Sequence, residues 1–207
     1  MYKSYFKRVI DLVIAGICLI LLSPVLIVII VFILYKLKYP ILFKQERPGK
    51  NGNPFYLYKF RSMTNETDAD GNLLPNEQRL TPFGKKLRST SLDELPSLLN
   101  VLKGEMSIVG PRPLRMRYLP YFTEEQNKRH EVLPGITGYA QANGRSNLSW
   151  DKKLKMDVWY VENQSFLLDI KIIFQTVINV LKRKDTNPEG GNFEIPFDEY
   201  MKNKQQG

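Results

Sequence analysis

Residues 9–35 form an almost unbroken apolar run, interrupted by Asp11, Gly16 and the pair Ser23-Pro24. A run of that length is a membrane signal. A cleavable leader has a shorter apolar core followed by small residues at a cleavage site, whereas this run continues into Tyr35-Lys36-Leu37-Lys38, so a retained anchor is expected. Pro24 divides it. At ~1.5 Å per helical residue the halves 9–22 and 25–35 reach only about 21 and 17 Å, against a hydrocarbon core of about 30 Å, so neither spans alone. Pro24 lacks an amide donor and its ring collides with the carbonyl of Ile20, which the Ser23 hydroxyl is placed to satisfy. Lys3, Lys7 and Arg8 precede the run and Lys36 and Lys38 follow it, whereas a spanning helix carries its positive charge mainly on one side. Matched flanks fit a helix that enters, turns at Ser23-Pro24 and returns to the same face. On these residues alone, a kinked spanning helix stands as an equal alternative.

Lysine and arginine exceed aspartate and glutamate by 30 to 21, a net charge of +9 that suits phosphate-rich partners: anionic lipid, nucleotides or nucleic acid. Cys18 is the only cysteine, which excludes an internal disulfide and a cysteine-based zinc cluster and fits a reducing, cytoplasmic setting. The single histidine, His130, lies in the polar stretch 123–132 and is expected at the surface. With no second histidine, imidazole-based hydrolase schemes are disfavoured.

The chain divides into an anchor over residues 1–38, a catalytic domain over 39–182 and a polar extension over 183–207. The expected fold class is α+β and mainly helical. Two short mixed runs around Arg47-Pro-Gly-Lys-Asn-Gly-Asn53 read as a small β-hairpin. Asp68-Ala-Asp-Gly-Asn72 resembles the start of a calcium loop, but Leu73 replaces its glycine and Arg79 its closing glutamate. Segments 81–87, 93–102, 123–132, 150–160 and 166–181 read as helices. In the last, Lys171, Gln175 and Asn179 recur at four-residue spacing and form one polar stripe. That pattern fits either a core helix under a solvated stripe or an amphipathic helix lying in the membrane interface. The basic, polar stretch beyond Leu181 reads as a tail or partner-binding extension.

The segment 87–102 carries most of the chemistry. Pro96 belongs in the first turn of a helix, which puts Asp93 and Glu94 at its N-terminus, where free amides and the helix dipole favour carboxylates and bound phosphate. Ser91 and Glu94 also match a capping box, a purely structural reading. Neighbours on a helix point roughly 100° apart, so separate roles for the two acids are expected. Arg112 is held between Pro111 and Pro113, Arg145 follows Gly144, and Arg88 stands just before the acid pair. Each planar fork alone reads as a surface ion pair. Together with the acids, the three suggest phosphate chemistry with a divalent metal.

Taken in order, Phe43-Lys-Gln-Glu-Arg-Pro-Gly49, Lys59-Phe-Arg-Ser-Met63, Ser91-Leu-Asp-Glu-Leu-Pro96, Asn100-Val-Leu-Lys-Gly-Glu-Met-Ser-Ile-Val-Gly-Pro-Arg-Pro113 and Pro134-Gly-Ile-Thr-Gly138 resemble the bacterial sugar transferases over residues 3–182. The short chain, without the N-terminal membrane bundle of larger members, looks like the small monotopic phosphoglycosyl transferases, in particular those of bacterial N-glycosylation. The resemblance implies a re-entrant anchor broken at Ser23-Pro24 in the bacterial inner membrane, an active site on the cytoplasmic face, and Mg2+ at Asp93 and Glu94. Asp93 would attack a UDP-sugar, release UMP and pass the phosphosugar to polyprenol phosphate. Glu94 would place the metal or accept a proton. Arg88, Arg112 and Arg145 would bind phosphate, and Asp157, in Lys155-Met-Asp-Val-Trp-Tyr160, would serve the substrate site, by metal binding or by structural support. The likeness points to an N-acetylated, modified sugar such as that of UDP-N,N'-diacetylbacillosamine. Asp93 is expected to stay ionised, because amides, arginines and a metal all favour the charged form.

Two competing readings remain. A metal-dependent membrane phosphatase would use water in the second step. A membrane-tethered nucleic-acid binder would stack bases on the aromatics of Phe55-Tyr-Leu-Tyr-Lys-Phe-Arg61; the plainer reading of that run is a strand with alternate residues buried, and no nucleic acid is expected.

Overall fold

The computed structural model describes residues 2–144, 148–182 and 195–206. After a wide helical turn at Tyr2–Phe6, the apolar run forms a single helix, α1 (Lys7–Leu37), with Pro24 inside it. Its length and composition suffice to cross a membrane, with a mean hydropathy of 3.4 over the most apolar window. Ser23 Oγ donates to the Ile20 carbonyl at 2.7 Å. That carbonyl is the one orphaned by Pro24, so the hydroxyl replaces the missing backbone bond.

Both halves of α1 rest on the same body. Near its start, Lys7 Nζ meets Asp169 Oδ2 at 2.7 Å, the Ile108 amide donates to Asp11 Oδ1 at 3.1 Å, and Arg8 donates to the Val101 and Leu102 carbonyls at 2.6 and 3.0 Å. Near its end, Ile29, Ile33 and Leu37 pack with Phe60 and Leu87, and Phe32 stacks on Phe83. Between these contacts Ile20 and Leu21 are 74% and 71% exposed.

Strands β1 (Leu42–Pro48) and β2 (Pro54–Phe60) form the expected antiparallel hairpin, closed by a turn at Lys50–Gly52 in which Asn51 and Gly52 take positive φ. Phe55, Leu57 and Phe60 are buried while Tyr56 is exposed. Phe55 and Phe60 therefore serve a core, as a strand requires, while Tyr56 and Tyr58 lie on its outer side. Asn100 pins the hairpin: its Nδ2 donates to the Tyr56 carbonyl at 2.7 Å and its Oδ1 accepts from the Tyr58 amide at 3.0 Å.

Short helices α2 (Asn76–Arg79) and α3 (Pro82–Ser89) follow a loop in which Asp68 Oδ1 accepts the Asp70 and Asn72 amides. A 3-10 helix, Leu92–Ser97, runs directly into α4 (Leu98–Lys103). Next, β3 (Ser107–Val109) pairs in parallel with β4 (Gly135–Thr137), a sheet that no hydropathy pattern announced. Here the two glycine-rich motifs meet: a Cβ on Gly110 would strike the Leu133 carbonyl, and one on Gly135 would strike Gly110. Between these strands lie a 3-10 turn at Met116–Tyr121, α5 (Glu124–Asn127) with a Thr123 capping box, and a 3-10 turn at Lys128–His130. His130 is only 8% exposed and packs against Phe122. The polar sequence around it had suggested the surface; burial of the ring against Phe122 and Arg129 overturns that.

The chain closes with α6 (Tyr139–Asn143), α7 (Trp150–Asn163), α8 (Phe166–Leu181) and α9 (Phe197–Gln206). Helix α8 combines features of both expected arrangements, with Lys171 exposed and Ile172 in the core. Asn179 is buried and donates to the Ala142 carbonyl at 2.8 Å, and Asp169 is buried at the other end, while Leu167, Phe174 and Leu181 are 78%, 67% and 78% exposed. One apolar face therefore points outward, while Ile172 is buried in the main core with Leu168 and Ile173 beside it. In α9, Phe197 is fully buried among Tyr118, Phe122 and Leu154, so the stretch read as a polar extension contributes to the core.

Candidate active site

The acid pair sits at the start of the 3-10 helix Leu92–Ser97, not of an α-helix. The Ser91 capping box does not form: Ser91 is left-handed at φ 58° and its side chain caps nothing. The structural explanation for Glu94 thus falls away. Instead Glu94 Oε1 accepts from Lys59 Nζ at 2.6 Å and from Arg112 Nη2 at 2.8 Å. Although burial raises its pKa, Arg112 and Lys59 hold Glu94 well below the usual carboxylate range.

Asp93 differs from its neighbour. It is 9% exposed and, among the described residues, its carboxylate has no hydrogen-bond or ion-pair partner. Burial and the adjacent Glu94 charge push it up to about 6, against the opposing pull of Lys59, Arg88 and Arg112. The expected cluster of stabilising amides is missing, so the shift runs opposite to the sequence reading; at neutral pH the carboxylate is still mostly ionised. Two adjacent acids are thereby set apart, Glu94 paired with cations and Asp93 without such a partner.

Arg88 falls in the last turn of α3, one element earlier than expected, and its Nε donates to Ser62 Oγ at 2.8 Å, with its charge felt at Asp93. Arg112 is half exposed and reaches Glu94. Asp157 does not join the acid pair. Its Oδ2 accepts from Arg129 Nε and Nη2 at 3.1 and 2.7 Å, and the same Nη2 donates to the Arg112 carbonyl at 2.7 Å. Asp157 thus supports the backbone that carries Arg112. Arg145 lies outside the described residues.

An open cleft of about 70 Å³ is lined by Arg47, Leu57, Lys59, Glu94, Ser97, Met106, Arg112, Pro113, Leu114, Gly135 and Ile136. Lys59, Arg47 and Arg129 had escaped the reading of single residues. For Lys59 strand alternation held the signal, since Phe55 and Leu57 of β2 are buried and Lys59 continues that series. Two adjacent carboxylates fit a magnesium ion, which takes one or two carboxylates and fills its shell with water and substrate phosphate. Among the described residues no group of three or more acidic, histidine or cysteine ligands occurs.

A cationic cleft lined by Glu94, with the unpaired Asp93 next to it in sequence, on a body carrying a long apolar helix, fits an enzyme that handles phosphate esters at a membrane. The family model for bacterial sugar transferase matches residues 2–183, and the chain belongs to that family. The Bacillus subtilis sugar transferase EpsL is 57% identical over 84% of this chain and 87% of its own length. A UDP-glucose:undecaprenyl-phosphate glucose-1-phosphate transferase of Klebsiella pneumoniae is 42% identical over 83% of the chain. An undecaprenyl-phosphate galactose phosphotransferase of Salmonella typhimurium is 36% identical over 87%. The chain spans only 39% and 41% of the length of these last two. Helix α9 lies beyond the family match.

Proposed function

We propose that the protein transfers a phosphosugar from a UDP-sugar to a polyprenol phosphate, with Asp93 as nucleophile. The observation that carries this reading is the contrast within the acid pair: Glu94 is clamped by Lys59 and Arg112, while buried Asp93 beside it has no such partner. Relatives named as undecaprenyl-phosphate transferases of UDP-glucose and UDP-N-acetylgalactosamine support the reaction class.

An Asp93 oxygen attacks the β-phosphorus, forming an acyl phosphate while the bond to the bridging oxygen breaks and UMP leaves with that electron pair. A phosphate oxygen of the lipid then attacks the same phosphorus, which frees the Asp93 carboxylate and yields polyprenyl diphosphosugar. Lys59 and Arg112 are placed to stabilise charge on the phosphoryl oxygens, and Glu94 holds both cations in position. Magnesium held by Asp93 and Glu94 would supply further charge stabilisation on the diphosphate.

A lipid acceptor requires a site at the bilayer surface. The outward apolar face of α8 and the exposed middle of α1 support contact with the membrane. That both halves of α1 rest on one body supports a re-entrant path, with the cleft on the cytoplasmic face. The test is release of UMP from a panel holding UDP-glucose, UDP-galactose, UDP-N-acetylgalactosamine and UDP-N,N'-diacetylbacillosamine. Multiple-turnover release that depends on polyprenol phosphate is expected for one or more donors. Lipid-independent release of inorganic phosphate would instead establish a phosphatase.

A further inference from the structure

The hairpin register sets Arg47 opposite Phe55, Gln45 opposite Leu57 and Phe43 opposite Lys59. Cross-strand partners share a face, as do residues two apart along a strand. Arg47 and Lys59 therefore arise from one face, four residue steps apart, roughly 13 Å at ~3.3 Å per step. Both line the cleft that contains Glu94 and Arg112.

At the Lys59 end the charges are matched, because Glu94 is shared by Lys59 and Arg112. Arg47 has no such match. Its Nη2 donates to the neutral amide oxygen of Gln45 at 2.6 Å, and its buried Nε has no hydrogen-bond partner among the described residues. Burial, Arg112 and Arg115 lower its pKa to about 10, against a weaker upward pull from Tyr118 and Glu94. A buried, unused N–H on a guanidinium at a cleft wall lacks an oxyanion, and Nε with Nη2 forms the fork that grips two phosphate oxygens.

Which phosphate it grips follows from the hairpin's orientation. Lys59, at the far end of the shared face, meets Glu94 beside Asp93, so the group under attack lies at that end. Arg47 stands at the opposite end, beside the turn. We propose that Arg47 is a substrate-positioning residue that binds the nucleotide phosphoryl group departing with the nucleoside, while the Lys59 end holds the group under attack. The assignment of ends rests on the reading of Asp93 as nucleophile; the grip on the nucleotide does not.

Equilibrium binding of UMP and uridine to the full-length protein tests this without either covalent step. In Arg47→Gln the UMP dissociation constant should rise about tenfold or more, the scale of a lost charged hydrogen bond, with uridine binding unchanged. Arg47→Lys should recover only part of the loss, because the charge remains and the fork does not. KM for the UDP-sugar should rise in both variants while KM for polyprenol phosphate holds. Equal weakening of UMP and uridine, or unchanged UMP binding with a raised KM for the lipid, would overturn the assignment. If UMP affinity falls as expected but the wild-type protein never forms an adduct at Asp93, the nucleophile reading fails and the Arg47 site stands.

Discussion

Arg129 holds Arg112 by its backbone, donating to the carbonyl oxygen at 2.7 Å, so the arginine that touches Glu94 is positioned by one that never reaches the cleft acids. Asp157 neutralises Arg129 within the protein, the two side chains being 7% and 1% exposed. Removing one partner of a buried ion pair costs on the order of 3–5 kcal/mol. Asp157→Ala should therefore lower the melting temperature and turnover together, whereas Arg112→Ala should lower turnover with little change in melting. Calorimetry paired with UMP-release rates distinguishes the two.

The acid pair should separate under mutation. Enzyme given UDP-sugar and magnesium without lipid is expected to gain the mass of one phosphosugar at Asp93, and Asp93→Asn should abolish both adduct and turnover. Glu94→Gln should slow turnover by roughly 10²-fold or more, the scale of losing a preorganised electrostatic contact, yet still label. Peptide mapping that placed the label on Glu94 would reverse the roles.

His130 makes a pH prediction about stability. Burial and the neighbouring Arg129 lower its pKa to about 4, from 6.5 in the unfolded chain. The unfolded state therefore takes up the proton first, and stability present above pH 6.5 declines as pH falls toward 4. The slope from this group is at most about 1.4 kcal/mol per pH unit. His130→Phe should flatten the fall in melting temperature over that window; an unchanged profile would show that the ring titrates freely when folded.

Topology can be read with cysteines at Lys3 and Lys38 in a Cys18→Ser background. Both should react with an impermeant thiol reagent only from the cytoplasmic side. Replacing Ser23 and Pro24 with alanine and leucine removes both the break and its hydroxyl repair, and should favour a span, with the two sites labelled from opposite sides.

Phe197 anchors α9 on Tyr118, Phe122 and Leu154, and Leu114 touches both that cluster and the cleft. Phe197→Ala should destabilise by about 3–5 kcal/mol and raise KM for the UDP-sugar more than it lowers kcat. Steady-state kinetics below the melting transition would expose a purely structural role as an unchanged KM.

The sequence carried the local rules well. The hydroxyl repair of Pro24 by Ser23, the hairpin turn and the acid pair each announce themselves through one residue's backbone or side-chain chemistry. Relations between distant segments were not visible in this way. That Lys59 meets Glu94, 35 residues apart, or that Asp157 serves Arg129, depends on how the hairpin and α7 dock. The polar stripe of α8 left two readings open for a related reason: periodicity reveals faces but not which one meets protein, and with Asn179 bonded inward and Ile172 buried, Leu167, Phe174 and Leu181 are left outside. Phe197 was hidden by its polar surroundings, since one aromatic gives no period.

Lys7 and Asp169 form a buried pair joined by the hydroxyls of Tyr2 and Tyr160, which donate to Asp169 at 2.6 and 2.7 Å. Cutting the chain after residue 38 would strand that carboxylate without its cation, leave the Ile108 amide without Asp11, and strip Ala15 and Ile33 from two cores. The apolar helix is therefore not an interchangeable address label. A water-soluble form of this protein could not be made by trimming, and any recombination that carried the catalytic body into another protein would have to carry the helix with it.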